Sequence, residues 1–155
     1  MILLALDLGT KCGWKLGDLR LSLSGVWDLA GTRFSGGGMR FVHFHKQLVD
    51  VTAQLRPDLV LYEEVRRHLS TDSAHVYGGL MATLTAWCEC DELPYQGVPV
   101  QTIKKFATGK GNANKDLVIA AMKHLGLHPR DDNEADAMAL WEYGQHEFGS
   151  AGHGK

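Results

Sequence analysis

The amino-acid sequence predicts an α/β protein in which a mixed five-stranded sheet is flanked by helices. Three strand-like segments near the start of the chain are joined by short turns, which favours an antiparallel meander. Further along, strand-like segments alternate with helix-like ones, which favours parallel pairing. A length of 155 residues suits one domain with a substantial core. We therefore expect a single domain over residues 1–148 and a flexible, glycine-rich tail over residues 149–155.

The first half of the chain contains three predicted strands and one predicted helix. Residues 2–7 are almost wholly apolar and predict a buried strand, which a Gly-Thr turn ends. Residues 13–16 predict a second strand, and residues 20–29, where apolar and polar side chains alternate, predict a third. After the glycine-rich segment 35–38, apolar residues recur at helical spacing over residues 39–55, which predicts an amphipathic helix.

The second half alternates strands with helices and ends with two helices in succession. A short apolar strand leads directly into two glutamates, and the helix after it is rich in small residues. The predicted segments are a strand over 59–62, a helix over 73–90, a strand over 94–100, and helices over 114–125 and 132–148.

Composition excludes several classes of protein. The chain has no run near the roughly 20 apolar residues of a membrane helix, and its apolar start lacks the basic residues of a signal peptide. Its eight histidines and three cysteines show neither a zinc-binding spacing nor a disulfide framework. The formal net charge of −2 neither predicts nor excludes binding to nucleic acid. We expect a cytoplasmic protein with reduced thiols and no membrane partner.

An aspartate inside the first apolar strand is the most informative residue of the chain. Burying an unpaired carboxylate is costly, so Asp7 requires a compensating charge, typically a metal ion. Glu63 follows the fourth predicted strand, and strand ends are where α/β sheets place their ligands. On the last helix, Asp132 and Asp136 share a face at spacing i, i+4, as Asn133 and Asp136 do at i, i+3. The sequence thus offers oxygen ligands from distant segments to one site.

Such hard oxygen ligands suit Mg²⁺ or Mn²⁺ rather than zinc. Two such ions clamp the attacking and leaving oxygens of a phosphodiester displacement. Each acid also has a plainer interpretation. Asp7 fits an acid satisfied at a turn, and one of Glu63 and Glu64 fits a solvated or supporting acid. Asp132 occupies the position of a helix N-cap, and Asp131 fits a solvated acid.

Two basic segments accompany these acids. Residues 101–115 contain no acid and four lysines, which are Lys104, Lys105, Lys110 and Lys115. Two glycines in this segment let backbone N–H groups approach phosphates, so we expect it to bind a DNA backbone. Arg66 and Arg67 follow the glutamates, and we expect them to contact DNA electrostatically. The alternative for both segments is an ordinary solvated loop.

The motifs that contain these residues resemble the RuvC family of Holliday-junction resolvases, and its phage-type members in particular. The family has the RNase H-like fold, so the resemblance implies that fold here. The matching stretches follow the family's order over most of residues 1–145, and they are 6–10 with Gly13, 61–64, 103–115 and 133–139. The actin-like and sugar-kinase folds also open with Asp-Leu-Gly-Thr, but they require two such domains and a far longer chain.

The resemblance also implies roles for individual residues. The positions that match the family's metal-binding carboxylates are Asp7, Glu63 and Asp136. Lys104 and Lys115 match basic residues that act near the scissile phosphate and the DNA backbone. A further acidic or histidine position of the family falls on Asn133, so either this neutral amide or Asp132 completes the metal site. Where the family often has an aromatic wedge, this chain has an Arg-Arg-His run.

We therefore expect a metal-dependent endonuclease that makes paired cuts in Holliday junctions or other branched DNA. It would use water as the nucleophile and two Mg²⁺ or Mn²⁺ ions as cofactors. A homodimer would match the two-fold symmetry of a four-way junction, with helix 73–90 as its contact. A phage-encoded protein would act in the host cytoplasm. The alternatives are a relaxed nuclease that also cuts forks and flaps, a junction-binding protein that cuts weakly or not at all, and, on the shared Asp-Leu-Gly-Thr motif, an actin-like nucleotide-binding module.

Overall fold

The computed structural model describes residues 1–149, so most of the predicted tail lies outside the described residues. Five strands and five helices lie within this part of the chain. The strands are β1 (Leu3–Asp7), β2 (Lys11–Gly17), β3 (Ser22–Asp28), β4 (Leu59–Glu64) and β5 (Tyr95–Pro99). The helices are α1 (Met39–Thr52), α2 (Thr71–Cys90), α3 (Val100–Thr108), α4 (Lys115–His124) and α5 (Asp132–Phe148). None of the helices described in residues 1–149 has the length and apolar character needed to cross a membrane.

The five strands form one mixed sheet in the order β3-β2-β1-β4-β5. The two hairpin-connected strands β2 and β3 pair antiparallel with their neighbours, as the short turns predicted. The strands β1, β4 and β5 are parallel to one another, and helices connect them. The predicted mixed sheet is therefore confirmed, with β1 and β4 as adjacent central strands.

The strand alternation divides the core into two layers, one on each face of the sheet. Leu4, Leu6 and Val60 pack with α1 and α2 on one face. Leu3, Ala5 and Leu61 pack with α3, α4 and α5 on the other face. Because side chains alternate along a strand, Asp7 continues the face of Leu3 and Ala5, and Glu63 continues the face of Leu61. Both carboxylates thus point toward the layer that contains α5.

Helix α5 lies very close to the sheet because small residues face it. Ala135, Ala137 and Ala139 are fully buried, as expected for a helix in close contact with strands. At Gly144 an added Cβ would lie 2.5 Å from the Leu61 Cδ1 atom, so any side chain there would displace that leucine. This close packing brings the N-terminal part of α5 to the strand ends.

The prediction for residues 100–115 was wrong in part. We expected a strand that ended at residue 100 and no helix before residue 114, but residues 100–108 form helix α3. The helix starts directly after Pro99 and buries Ile103, and it ends at Gly109, whose φ of 79° is left-handed. Lys104 and Lys105 therefore lie on α3, and Lys115 is the first residue of α4. Several other boundaries differ from the prediction by one to three residues, as ends of elements commonly do.

Candidate active site

The site begins where β1 and β4 end. Asp7 is the last residue of β1 and pairs with Gly13 of β2. The parallel register between β1 and β4 ends with Leu6 opposite Tyr62, so Asp7 and Glu63 occupy the next positions on adjacent strands. Their side chains lie on the same face of the sheet by strand alternation. Two carboxylates from separate segments are thereby placed side by side.

Helix α5 contributes the third carboxylate, Asp136. The start of this helix is held against β2 at Gly13, where an added Cβ would lie 1.9 Å from the Asn133 carbonyl oxygen. Because Gly13 is also the partner of Asp7 in the sheet, the same contact sets the distance between Asp7 and α5. The predicted convergence of Asp7, Glu63 and Asp136 is thus present in the fold, although their function as ligands stays a prediction.

The three acids destabilise one another's charge. Burial raises the pKa of Asp7 well above its ordinary value, and the charges of Glu63 and Asp136 raise it further. Burial and then Asp136 raise the pKa of Glu63 to about 7, against a smaller lowering by Lys104. Burial raises the pKa of Asp136 to about 6, although Lys104 lowers it. The site therefore holds more negative charge than its own lysines compensate.

This charge pattern fits a divalent cation. In residues 1–149, no three Asp, Glu, His or Cys side chains are already arranged as a closed metal site. The three acids nevertheless supply hard oxygen donors and repel one another, and a bound cation would remove that repulsion. Asp7, Glu63 and Asp136 are the side chains that could hold such an ion. The donor set suits Mg²⁺ or Mn²⁺ and lacks the nitrogen and sulfur atoms that zinc prefers.

Asp132 and Asn133, the two candidates for an additional metal ligand, have different hydrogen-bond partners. The Asp132 carboxylate accepts a hydrogen bond from the Lys115 ammonium, which lowers the pKa of Asp132. The Asn133 amide is turned toward Asp131, with 3.5 Å between its Nδ2 atom and the Asp131 Oδ2 atom. Asp131, and not Asp132, is the N-cap of α5, because its side chain accepts from the Glu134 N–H. The interpretation of Asp132 as the N-cap was therefore wrong, and so was that of Asp131 as a merely solvated acid.

The predicted basic residues differ in how closely they approach the three acids. Lys104 of α3 is close enough to lower the pKa of both Glu63 and Asp136, so it lies beside the site. Lys105 and Lys110 are exposed, and the Lys115 side chain is 74% exposed beside its partner Asp132. Arg66 pairs with the Glu64 carboxylate at 3.3 Å. Arg66 and Arg67 line a cavity of about 710 Å³ together with the start of α3.

The sequence analysis missed a buried acid that fixes the start of α5. The Glu134 side chain is 3% exposed. It accepts hydrogen bonds from the Ser24 hydroxyl at 2.8 Å and the Arg130 N–H at 2.7 Å. This carboxylate ties α5 to β3 and to the preceding loop. The spacing of Asp131 and Glu134, typical of a capping box, is the signal that could have found it.

Comparisons with known proteins agree with this geometry. No protein-family model matches the chain. The chain is 30% identical to the Crossover junction endodeoxyribonuclease RuvC of Caldicellulosiruptor saccharolyticus over 66% of its own length and 63% of that protein's length, so it spans less than two thirds of this relative. It is 32% identical to the RuvC of Synechococcus sp. over 66% of its own length and 68% of the relative.

Solved structures show the fold. The Thermus thermophilus RuvC in complex with Holliday junction substrate superposes with a TM-score of 0.76 over 90% of both chains, at 20% identity. The RNase H-like fold implied by the motifs is thereby confirmed, and the actin-like alternative is not retained. The sequence similarity to the Synechococcus enzyme covers two thirds of that relative. The protein belongs to the RuvC family of crossover junction endodeoxyribonucleases.

Proposed function

We propose that the protein is a metal-dependent endonuclease that resolves Holliday junctions by hydrolysing phosphodiester bonds in two strands. The observation that carries the proposal is the set of three acids, Asp7, Glu63 and Asp136, which converge from two strand ends and one helix and whose pKa values are all raised, first by burial. The names of the relatives support it, since they are crossover junction endodeoxyribonucleases. One structural neighbour was solved with a Holliday junction substrate.

Two Mg²⁺ or Mn²⁺ ions are the cofactor that this donor set suits. When bound, such ions activate water and stabilise the departing oxygen of the phosphodiester. Asp7, Glu63 and Asp136 would hold the ions, and either Asp132 or Asn133 would complete the set. Lys104 contributes positive charge beside the acids, where the scissile phosphate would bring further negative charge.

A basic surface next to the acids binds the DNA backbone. Its proposed members are Lys104, Lys105, Lys110, Lys115, Arg66 and Arg67. Charged side chains of this kind contact phosphates and fix the position of DNA without reading its sequence. The arginines line a cavity beside Glu64, where they are accessible to a DNA phosphate.

A four-way junction presents two strands to cut, and a homodimer presents two sites in matching symmetry. Small residues at positions 74, 78, 82 and 86 of α2 lie along one side of this helix, and they are partly or fully exposed. We propose this side as the contact between protomers, which act on branched DNA in the cytoplasm.

A second candidate function has one observation in its favour. Asn133 brings no charge to the site, and Asp132 is already bound to Lys115. A site that lacks a fourth anionic ligand would favour a protein that binds junctions and cuts them weakly. This alternative makes a different prediction about cleavage, so one experiment separates the two.

The test is cleavage of an end-labelled four-way junction with Mg²⁺, and separately with Mn²⁺. We expect paired, symmetric cuts by the wild type and no cuts by Asp7→Asn. Asp50→Asn on α1 is the matched control, because it removes an acid from the opposite side of the sheet. Tight binding without cuts would favour the second candidate. Equal cleavage of forks and flaps would indicate a relaxed nuclease.

A further inference from the structure

From Glu63 onward, strand β4 is no longer paired with β1. Pairing between β1 and β4 ends at Leu6 and Tyr62, whereas β4 continues to Glu64 and stays paired with β5 on its other edge. Beyond that point the β1 edge of β4 lacks a strand partner, because the chain turns away through the Gly9-Thr10 turn. A strand end that is paired on one edge only is the part of a sheet that opens most easily.

The hydroxyl of Tyr77 replaces the missing partner. It donates to the Glu63 carbonyl oxygen at 2.8 Å and accepts from the Val65 N–H at 3.1 Å. In a parallel sheet, one residue of the neighbouring strand bonds a carbonyl and the amide two residues further along, and here a single side-chain oxygen makes both bonds. The Tyr77 side chain is 8% exposed and projects from α2, so a helix holds this oxygen in place.

Packing around these two hydrogen bonds is incomplete. A cavity of about 330 Å³ lies between the turn after β1, the segment after Glu64 and the start of α2. Leu8, Val65 and Tyr77 are among its lining residues. The cavity leaves space into which the end of β4 can move. The hydroxyl therefore keeps the backbone extended, and the extended backbone keeps the Glu63 side chain on the face of Asp7 and Asp136.

We propose that Tyr77 is a positioning residue for Glu63, an inference that rests on the proposed function of the site. The hydroxyl does not touch the reacting atoms. It fixes the peptide groups on both sides of Glu64, and thereby the direction in which the Glu63 carboxylate presents its oxygens to a metal ion. The His68 ring, with its centroid 4.8 Å from that of Tyr77, links the same residue to the basic segment that follows β4.

The test compares Tyr77→Phe with Tyr95→Phe. Both variants remove one hydroxyl and keep the ring, and the Tyr95 hydroxyl donates to Glu89 at the far end of α2. For Tyr77→Phe we expect a decrease in kcat of about tenfold at unchanged KM for junction DNA. We also expect hydrogen exchange at the Val65 amide to become at least about tenfold faster. Tyr95→Phe should change neither quantity.

Unchanged kcat or unchanged exchange at Val65 would overturn the proposal. Equal acceleration of exchange throughout α2 and β4 would overturn it as well, because that result indicates a general loss of stability. A wild type that does not cut would refute the proposed function instead. In that case the exchange at Val65, together with the Mg²⁺-induced shift of the Glu63 carboxyl resonance, still decides the role of Tyr77. Faster exchange at Val65 together with loss of the Mg²⁺-induced shift in Tyr77→Phe supports it, and wild-type exchange with a retained shift refutes it.

Discussion

Replacing Asp136 with asparagine should stabilise the metal-free protein while it abolishes cleavage. The pKa of Asp136 is raised from 3.8 to about 6, first by burial. Between these two values the folded state binds more protons than the unfolded state, so its stability falls as the pH rises through this window. A shift of about 2 units corresponds to about 3 kcal/mol at pH 7.5 if fully expressed. Solvent reaches this half-buried acid, so we expect about 1–2 kcal/mol.

The assay is thermal unfolding in excess chelator. At pH 7.5, Asp136→Asn should melt about 4 °C above the wild type, since 1 kcal/mol moves the midpoint of a chain of this size by about 2–4 °C. The gain should disappear at pH 4, because the aspartate is then protonated in the folded state. The control Asp50→Asn should change stability by less than about 0.5 kcal/mol, because Asp50 pairs with Lys46 at the exposed surface.

Adding Mg²⁺ should reverse the order of stability at pH 7.5. The wild type gains stability by binding the ion, whereas Asp136→Asn has lost a ligand and gains less. A variant that melts at or below the wild-type temperature in chelator at pH 7.5 would refute the reasoning. Such a result would mean that the site does not concentrate negative charge, and the argument for a cation would lose its basis.

Three further variants test other parts of the site. Asp7→Asn should abolish cleavage but leave junction binding intact in a gel-shift assay, because the basic surface is unchanged; full cleavage would contradict the site assignment. Lys115→Ala should lower cleavage and reduce the slope of log binding constant against log salt by about 1. An unchanged slope would show that Lys115 contacts no phosphate. Gly13→Ala should lower the free energy of unfolding by about 3 kcal/mol or more, because the new Cβ would overlap the Asn133 carbonyl. Gly36→Ala is the control and should be neutral, because a Cβ at that position has no atom within 4 Å.

The sheet and two of the three acids were predictable because their signals are local. Alternation and apolar runs locate β1 and β4, and an acid at the end of each run stands out against them. Helix α3 was missed because it is short and follows a strand directly. It has only 9 residues, buries Ile103 alone, and follows β5 without a connecting loop.

The residues that hold the acids in place were not predictable in the same way. Glu134 bonds Ser24 across 110 positions of the chain, and Tyr77 bonds the backbone on both sides of Glu64 from a different element. Neither contact leaves a periodic pattern in the sequence. Gly13 stood out in the sequence only as part of a motif. The requirement for glycine at this position arises because the Asn133 carbonyl packs against its Cα, and that contact exists only when α5 is folded onto β2.

The charges around the site favour Asp132 as the residue that completes the set of metal ligands. Asp132 raises the pKa of both Asp7 and Asp136, so its carboxylate lies close to the other acids. The Asn133 amide instead faces Asp131. Since Lys115 is exposed and holds Asp132 by charge, a DNA phosphate that attracts Lys115 would leave the Asp132 carboxylate free for an ion. We therefore expect Asp132→Asn to weaken Mg²⁺ binding in the presence of junction DNA by about tenfold, and Asn133→Ala to have a smaller effect. Calorimetric titration of both variants would decide, and the opposite order would assign the role to Asn133.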